Sequence, residues 1–227
     1  MTDDILSYRE MCDEEDVQTL QRGMNFRMNP KYSVILMSRR ANAPYNDTIL
    51  ADGQTIEYQG HDEAKTISTP NPKEINQPQY NKNGSLTQNG RFINAIEQYK
   101  NGQPAEIIKV YEKILPGVWS LKGFFKLTGY EEQHDGKRNV YVFKLHLTED
   151  NTSNNIKTNI PHSRIIPSEV KKEVWKRDHG VCVLCGSNKN LHFDHDLPFS
   201  KGGTSLTSKN IRLLCRQCNL SKSNKIQ

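Results

Sequence analysis

Four cysteines near the end of the chain are spaced to hold a metal ion. They form two C-x-x-C pairs, Cys182 with Cys185 and Cys215 with Cys218. Two cysteines two residues apart can bind one face of a tetrahedral zinc ion, and a second pair completes the coordination without leaving an open position. The sequence therefore predicts a closed zinc site whose role is structural.

A second set of side chains, between and just after these cysteines, suits hydrolytic chemistry. Asp194 and His195 are adjacent, and Asn210 and Asn219 lie on either side of the second cysteine pair. Mg²⁺ prefers oxygen ligands, which an aspartate and an asparagine side chain supply while phosphate and water fill the remaining positions. The neighbouring histidine is then placed to deprotonate an attacking water.

The combination resembles the HNH, or ββα-metal, nuclease family in its zinc-bound form. The resemblance covers roughly the last third of the chain and rests on the two cysteine pairs, the Asp194-His195 dipeptide, the central Asn210 and the closing Cys218-Asn219. It implies that His195 is the general base and that Asp194 and Asn219 bind the catalytic metal. It also implies that Asn210 braces the loop that carries His195.

Two further expectations come from the same resemblance. The name-giving family has His where this chain has Asn219, and with Asn there Mg²⁺ or Mn²⁺ is the expected catalytic ion. The family places the Asp-His pair on the first strand of a hairpin and the last ligand on the following helix, which assigns strands to LHFDH and SKNIRLLC. For the cysteine pairs alone, the alternative is a zinc ribbon or treble clef that binds without cutting.

The two ends of the chain differ in charge. Residues 156–227 carry 13 Lys and Arg against 5 Asp and Glu, whereas the remainder is slightly acidic. A basic C-terminal module suits a polyanionic partner. Because there is no run of about 18 apolar residues and the N-terminal MTDDILSYRE is acidic, we expect no membrane segment and no signal peptide. Only Cys12 lies outside the predicted zinc frame, which favours a reducing compartment.

The N-terminal two thirds of the chain have the pattern of a mainly β domain. YSVILMS and QTIEY predict strands, residues 90–100 have helical spacing, and three β-rich runs follow at 105–115, 118–133 and 139–149. We expect an α+β chain in which a mostly antiparallel, barrel-like sheet precedes the small ββα-metal domain. Composition divides it into an arm (1–22), a β-rich domain (23–148), a linker (149–163) and the HNH domain (164–227).

The order of features in the β-rich domain resembles the SRA family, which reads modified cytosine in DNA and has a PUA-type barrel. From Tyr32 to Leu147 these features are the strand YSVIL, a Tyr-Asn-Asp loop, Tyr58-Gln59-Gly60, the Asn89-Gly90 helix entry, the AEIIKVYE strand and a closing hairpin. SRA domains flip the modified base, stack it between two aromatic rings and bind its pairing edge with an acidic side chain. The resemblance assigns stacking to Tyr45 and Tyr58 and the acidic role to Asp47. The chain departs from the family where WSLKGFF replaces a later signature.

A modified-cytosine reader fused to an HNH nuclease resembles the modification-dependent, type IV restriction endonucleases of bacteria. The resemblance implies a cytoplasmic endodeoxyribonuclease with structural Zn²⁺ and catalytic Mg²⁺ or Mn²⁺, acting on double-stranded DNA that contains 5-methylcytosine or 5-hydroxymethylcytosine. One HNH site cuts one strand, so duplex cleavage needs two copies of the chain: we expect a homodimer, and the alternative is two copies recruited separately. Two alternatives stay open: a non-catalytic reader with a structural zinc module, and an HNH nuclease with a PUA-like front domain that is indifferent to cytosine modification.

Overall fold

A computed structural model describes residues 3–40, 43–148, 165–198 and 203–222. The predicted linker, 149–163, lies outside the described residues. The strands are β1 (Asp3–Ser7), β2 (Met24–Asn29), β3 (Tyr32–Met37), β4 (Thr48–Ile49), β5 (Thr55–Gln59), β6 (Ile107–Leu115), β7 (Val118–His134), β8 (Asn139–Leu147), β9 (Leu191–His195) and β10 (Ile211–Cys215). The α-helices are α1 (Tyr8–Glu14), α2 (Gln88–Lys100), α3 (Ser168–Arg177) and α4 (Arg216–Lys222).

The strands form one sheet in the order β10-β9-β1-β7-β6-β3-β2, and β8, β5 and β4 continue from β7. The pairing of β3 with β6 is parallel, and the other strand pairs in the described part of the chain are antiparallel. The long strand β7 pairs with β1, β6 and β8 at different positions along its length. It therefore joins the β10-to-β2 series of strands to the branch formed by β8, β5 and β4. The predicted mixed α+β fold with a mainly antiparallel sheet is confirmed.

Helix α2 closes the N-terminal core. The side chains of Phe92, Ile93 and Ile96 are buried among those of the sheet because their spacing places them on one face of the helix. The helix starts where Thr87 Oγ1 accepts a hydrogen bond from the Gly90 backbone at 3.1 Å. A Cβ at position 90 would lie 2.2 Å from the Gln79 carbonyl oxygen, so only glycine allows the preceding loop to approach this closely.

The segment between β5 and α2, residues 60–87, is held by buried polar side chains. Arg138 is 2 % exposed and donates to the carbonyl oxygens of Pro72 and Ile75 at 2.7 and 3.1 Å. Asn89 is fully buried and donates to the carbonyl oxygens of His61 and Pro78 at 2.9 and 3.1 Å. These bonds satisfy carbonyl groups that no strand partner reaches and fix the loop against the sheet.

The C-terminal part is a β-hairpin, β9 and β10, between two helices. Val174 of α3 packs against Phe193 of β9 and against Ile211 and Leu213 of β10, and all four are buried. Helix α4 begins directly after β10, as the predicted strand-then-helix order requires. Of the helices that the structure describes, none is long and apolar enough to cross a membrane.

Candidate functional site

The four predicted zinc ligands converge. The Sγ atoms of Cys182, Cys185, Cys215 and Cys218 all lie within 4.8 Å of one another, and the Cys185 and Cys215 sulfurs are 3.6 Å apart. Four thiolates at tetrahedral Zn–S distances would be separated by about 3.8 Å, so the observed cluster fits one zinc ion. The cluster lies where the turn before β9 meets the end of β10 and the start of α4.

The backbone around the first cysteine prepares it to bind a metal. Burial by itself raises the pKa of the Cys182 thiol, but hydrogen bonds from backbone N–H groups, those of Cys215 and Leu184 among them, outweigh burial and lower it to about 6. A thiol with this pKa is ionised near neutral pH, and the thiolate is the form that binds zinc.

The predicted base lies at the end of β9, with its ring held in place. His195 Nε2 is 2.9 Å from Ser205 Oγ, and Ser205 is 1 % exposed. Which of the two groups donates depends on the ring nitrogen that carries the proton. Ser205 was not singled out from the sequence, because a single serine in a polar loop carries no pattern of its own.

Asn210 holds together the two sides of the loop that follows His195. Its Oδ1 accepts from the Leu197 backbone at 2.8 Å, and its Nδ2 donates to the carbonyl oxygens of Leu197 and Thr204 at 3.2 and 3.0 Å. A Cβ at Gly203 would lie 1.9 Å from the Leu197 carbonyl oxygen. The loop can therefore close around the Asn210 amide only with glycine at this position.

A buried lysine binds the two residues predicted to act in catalysis. Lys222 is 1 % exposed, and its Nζ lies 2.5 Å from Asp194 Oδ2 and also donates to the His195 carbonyl oxygen. Asn219 lies three residues before Lys222 on α4, hence on the same face of this helix. Asp194 thus faces a cationic group, and the side chains of Asp194 and Asn219 carry oxygen donors of the kind that suits Mg²⁺ or Mn²⁺. The Lys222 contact was missed from the sequence because a lysine in a basic segment is normally exposed.

A second candidate site is a cavity of about 390 Å³ in the N-terminal part. The described residues that line it are Ser38, Arg39, Arg40, Ala43, Tyr45, Asn46, Asp47 and Thr48. Its volume is in the range of small-ligand pockets, and one ring, one carboxylate and two guanidinium groups line it. This composition suits a polar or anionic ligand with a flat part that can lie against the ring.

Asp47 lies at the inner wall of the cavity and is 8 % exposed. Its two carboxylate oxygens accept from the Ser38 and Gln59 backbone N–H groups, each at 3.2 Å. Burial raises the pKa of Asp47 to about 7, and the negative charge of Glu112 adds to this, while the two amides and Arg39 act against it. The carboxyl group is therefore partly protonated near neutral pH.

Tyr45 lies at the edge of the cavity with a lysine over its ring. Lys73 Nζ is 3.8 Å from the ring centroid, 2.8 Å from Asp62 Oδ2 and 2.6 Å from the Pro44 carbonyl oxygen. Burial, followed by the charge of Asp62, raises the pKa of Tyr45 to about 12. The cation and its carboxylate partner hold the tyrosine ring in place.

Tyr58 lies behind the cavity, in the core. It is 3 % exposed, packs within the N-terminal hydrophobic core and donates to the Leu36 carbonyl oxygen at 3.4 Å. Burial and the nearby charges of Asp47 and Tyr45 raise its pKa well above the usual value, so the three predicted pocket residues are close neighbours. Among the described residues that line the cavity are Tyr45 and Asp47 but not Tyr58.

Comparison with known proteins identifies the C-terminal site. Residues 182–225 match the HNH endonuclease family, and the predicted HNH domain is thereby confirmed. No curated protein matches the chain. Similar solved structures include the SUVH5 SRA domain with hemimethylated CG DNA, at a TM-score of 0.44 and 16% identity, covering 67% of this chain and 90% of that chain.

Two further solved structures show the same level of similarity. The SUVH5 SRA domain bound to fully hydroxymethylated CG DNA has a TM-score of 0.44 and 17% identity, covering 67% of this chain and 91% of that chain. Arabidopsis thaliana SUVH6 in complex with SAM has a TM-score of 0.42 and 16% identity, covering 75% of this chain and 28% of that chain.

Proposed function

We propose that this chain, whose residues 182–225 form an HNH endonuclease domain, is a modification-dependent DNA endonuclease of the type IV restriction class. The N-terminal domain holds a flipped 5-methylcytosine or 5-hydroxymethylcytosine, and the HNH domain hydrolyses a phosphodiester bond nearby. The observation that carries the nuclease activity is the meeting of Asp194, His195 and helix α4 beside a four-cysteine frame within the matched segment.

Each residue of the HNH site has a separate role in the proposed hydrolysis. His195 takes a proton from water as the water oxygen bonds to phosphorus, and the bond between phosphorus and the 3′ oxygen breaks. The 3′ oxygen then takes a proton from solvent. Asp194 and Asn219 would hold the Mg²⁺ or Mn²⁺ ion, which when bound supplies Lewis-acid stabilisation of the charge on the phosphate. Ser205 and Asn210 keep the imidazole and its loop in place.

The cavity beside Tyr45 and Asp47 supports the proposal that the N-terminal domain binds a flipped base. Extrusion of a base costs a few kcal/mol of stacking and pairing, which a pocket recovers through ring stacking and hydrogen bonds to the base edge. Tyr45 offers a ring, and the Asp47 carboxyl group can accept a hydrogen bond from the exocyclic amine of cytosine. Arg39 and Arg40 line the same cavity, where a DNA phosphate would pass.

The charge of the HNH domain supports a DNA partner. Several basic side chains of this domain are exposed, namely those of Lys176, Lys189, Lys209 and Arg216. Such side chains bind phosphates without regard to sequence. Since one HNH site cuts one strand, we propose that two copies of the chain act together as a homodimer on double-stranded DNA. We also propose the bacterial cytoplasm as the place of action.

The test is cleavage of matched duplexes. The protein is incubated with Mg²⁺ or Mn²⁺ and with duplexes of one sequence that contain cytosine, 5-methylcytosine or 5-hydroxymethylcytosine. We expect cutting of the modified duplexes and sparing of the unmodified one. Equal cutting of all three would identify a nuclease indifferent to modification. Binding to modified DNA without metal-dependent cutting would identify a non-catalytic reader.

A further inference from the structure

The first strand of the chain belongs to both of its halves. β1 pairs with β9 over Asp3 and Asp4 and with β7 over residues 5–7. Ile5 packs against the core of the HNH domain, whereas Leu6 packs against a second N-terminal cluster that contains Cys12 and Trp119. His192 Nδ1 and Asp4 Oδ1 are 2.7 Å apart at the same place. The two halves therefore share one hydrogen-bonded sheet, and one cannot turn against the other without breaking backbone hydrogen bonds.

A buried ion network crosses the same junction. Glu112 of β6 is fully buried and binds Lys122 Nζ of β7 at 2.7 Å and the hydroxyl of Ser168 at the start of α3. Lys122 also donates to the Ile166 carbonyl oxygen at 3.2 Å. Burial alone would raise the pKa of Glu112, but the charges of Lys122 and Lys171 outweigh it and hold the pKa below its ordinary value. The carboxylate is therefore charged, and its partners come from both halves.

Lys171 extends this network toward the HNH site. It is fully buried on α3, and its Nζ donates to Ser120 Oγ of β7 at 2.7 Å. The same Nζ lies 5.6 Å from the ring centroid of Phe193, the residue before Asp194. An ammonium group without solvent must keep its partners, because an unpaired buried charge is very costly. The position of the strand that carries the nuclease residues is thus tied to β7.

The chain is also anchored on both sides of the junction by two consecutive residues. Ile165 is buried in the N-terminal core, and Ile166 is buried in the core of the HNH domain. Two domains in one chain ordinarily move against each other unless their interface is large and apolar or otherwise bonded. Here the attachment consists of a shared strand, a buried ion network and this pair of isoleucines, all outside residues 149–163.

We infer that this junction, and not the length of the predicted linker, sets the distance between the recognised base and the bond that is cut. The inference rests on the proposed function. With the base pocket and the HNH site on one rigid body, the DNA path between them has a single length, so cleavage falls at a fixed distance. Glu112, Ile5 and Lys171 are then determinants of cleavage position through their contacts across the junction.

The experiment maps cuts at nucleotide resolution on a duplex with a single 5-methylcytosine. One variant carries a Gly-Ser insertion within residues 149–163, and two others, Ile5→Asp and Glu112→Gln, damage the junction. Glu106→Gln is the matched control, because Glu106 is also buried but its partners Arg27 and Ser33 lie within the N-terminal domain. We expect the wild type, the insertion variant and the control to share one dominant cut position. In the junction variants, the range of nucleotide positions that are cut should be several-fold wider than in the wild type.

Three results would overturn the inference. The first is a shift of the cut position in the insertion variant. The second is an unchanged narrow distribution in folded junction variants. Thermal unfolding gives a readout that needs no activity: we expect one transition for the wild type and two for Glu112→Gln, and two transitions in the wild type would also refute the rigid junction. A wild type that spares the modified duplex refutes the proposed function instead, and unfolding then tests the junction separately.

Discussion

The HNH site and the cavity beside Tyr45 and Asp47 are assembled in different ways. The HNH site is made by one short stretch of chain, in which four sulfurs within 4.8 Å of one another fix the turn, the hairpin and the helix together. The cavity is lined by residues 38–40, 43 and 45–48, and its Asp47 carboxylate accepts hydrogen bonds from the backbone of two separate segments, at Ser38 and Gln59. The structure of the first site depends on a few bonds to one metal ion, whereas the structure of the second depends on many separate contacts. Loss of one side chain should therefore be far more damaging in the first.

The largest effect is expected from the zinc frame. Cys218→Ser should unfold the HNH domain and abolish cutting, because structural zinc supplies on the order of 10 kcal/mol of folding free energy to such small modules. Bound zinc per chain and the rate of proteolysis of residues 165–222 measure the outcome. Cys12→Ala is the control, since Cys12 is buried in a different core and should leave the zinc in place. A zinc-free variant that stays folded and resists proteolysis would contradict the expectation.

The next effect concerns chemistry without loss of fold. His195→Ala should lower the cleavage rate by about 10²–10⁴-fold, the usual contribution of a positioned general base, while DNA affinity stays nearly unchanged. Single-turnover cleavage and binding titrations separate the two quantities. His146→Ala, at an exposed position on β8, is the matched control and should cut at the wild-type rate. Turnover of His195→Ala within tenfold of the wild type would remove this residue from its assigned role.

A smaller effect is expected from the lysine beneath the site. Lys222→Met keeps an unbranched apolar side chain similar to the aliphatic stem of lysine, but it removes the ammonium group that contacts Asp194 and the His195 carbonyl oxygen. A small misplacement of catalytic groups costs about a hundredfold in rate, so kcat should fall by this amount with KM and bound zinc unchanged. Lys209→Met is the control, because Lys209 is exposed in the same domain. A loss of zinc in Lys222→Met would show that Lys222 supports the frame rather than the catalytic residues.

Lys222 also shows which parts of the C-terminal site the sequence predicted. The cysteine pairs, the Asp-His dipeptide and the strand-then-helix order are local spacings, and strand and helix geometry turns such spacings into positions. The contacts of Lys222 and Ser205 depend on how α4 and a loop pack against β9. No periodicity in the sequence predicts these contacts, because the burial of a single polar side chain depends on its neighbours in space.

The N-terminal domain shows the same limit on a larger scale. The elements β3, β5, α2 and the three later strands were predicted, since alternation and helical spacing are visible in the local sequence. The role of β1 was not predicted, because residues 1–22 mix acidic and apolar types and the partners of this strand lie on β7 and β9. Likewise, the sequence places Tyr58 on a strand but does not say which face of the sheet borders the cavity.

The tyrosines test how far the base pocket follows the predicted assignment. Tyr45→Ala should weaken binding of modified duplexes by about ten- to a hundredfold, because one stacking face is worth about 1–3 kcal/mol. Tyr58→Ala should also reduce the free energy of unfolding by about 3 kcal/mol, since it empties a space in the core. Tyr58→Phe keeps the ring and is the control for the effects of Tyr58→Ala on binding and on stability. If Tyr45→Ala keeps the wild-type preference for modified DNA, the base is bound elsewhere.

The smallest effect is expected from the pH dependence of Asp47. Its folded-state pKa of about 7 lies above the ordinary value of 3.8, so between pH 6 and 8 the folded protein binds a proton that the unfolded chain does not. The free energy of unfolding must then fall as pH rises through this window, by about 1.4 kcal/mol from this group. Asp47→Asn removes the contribution, and subtracting its urea-unfolding series from that of the wild type cancels the titration of the histidines. A wild-type minus variant difference that is flat from pH 6 to 8 would mean that Asp47 is already ionised below pH 6, and it would contradict the raised pKa of this buried carboxyl group.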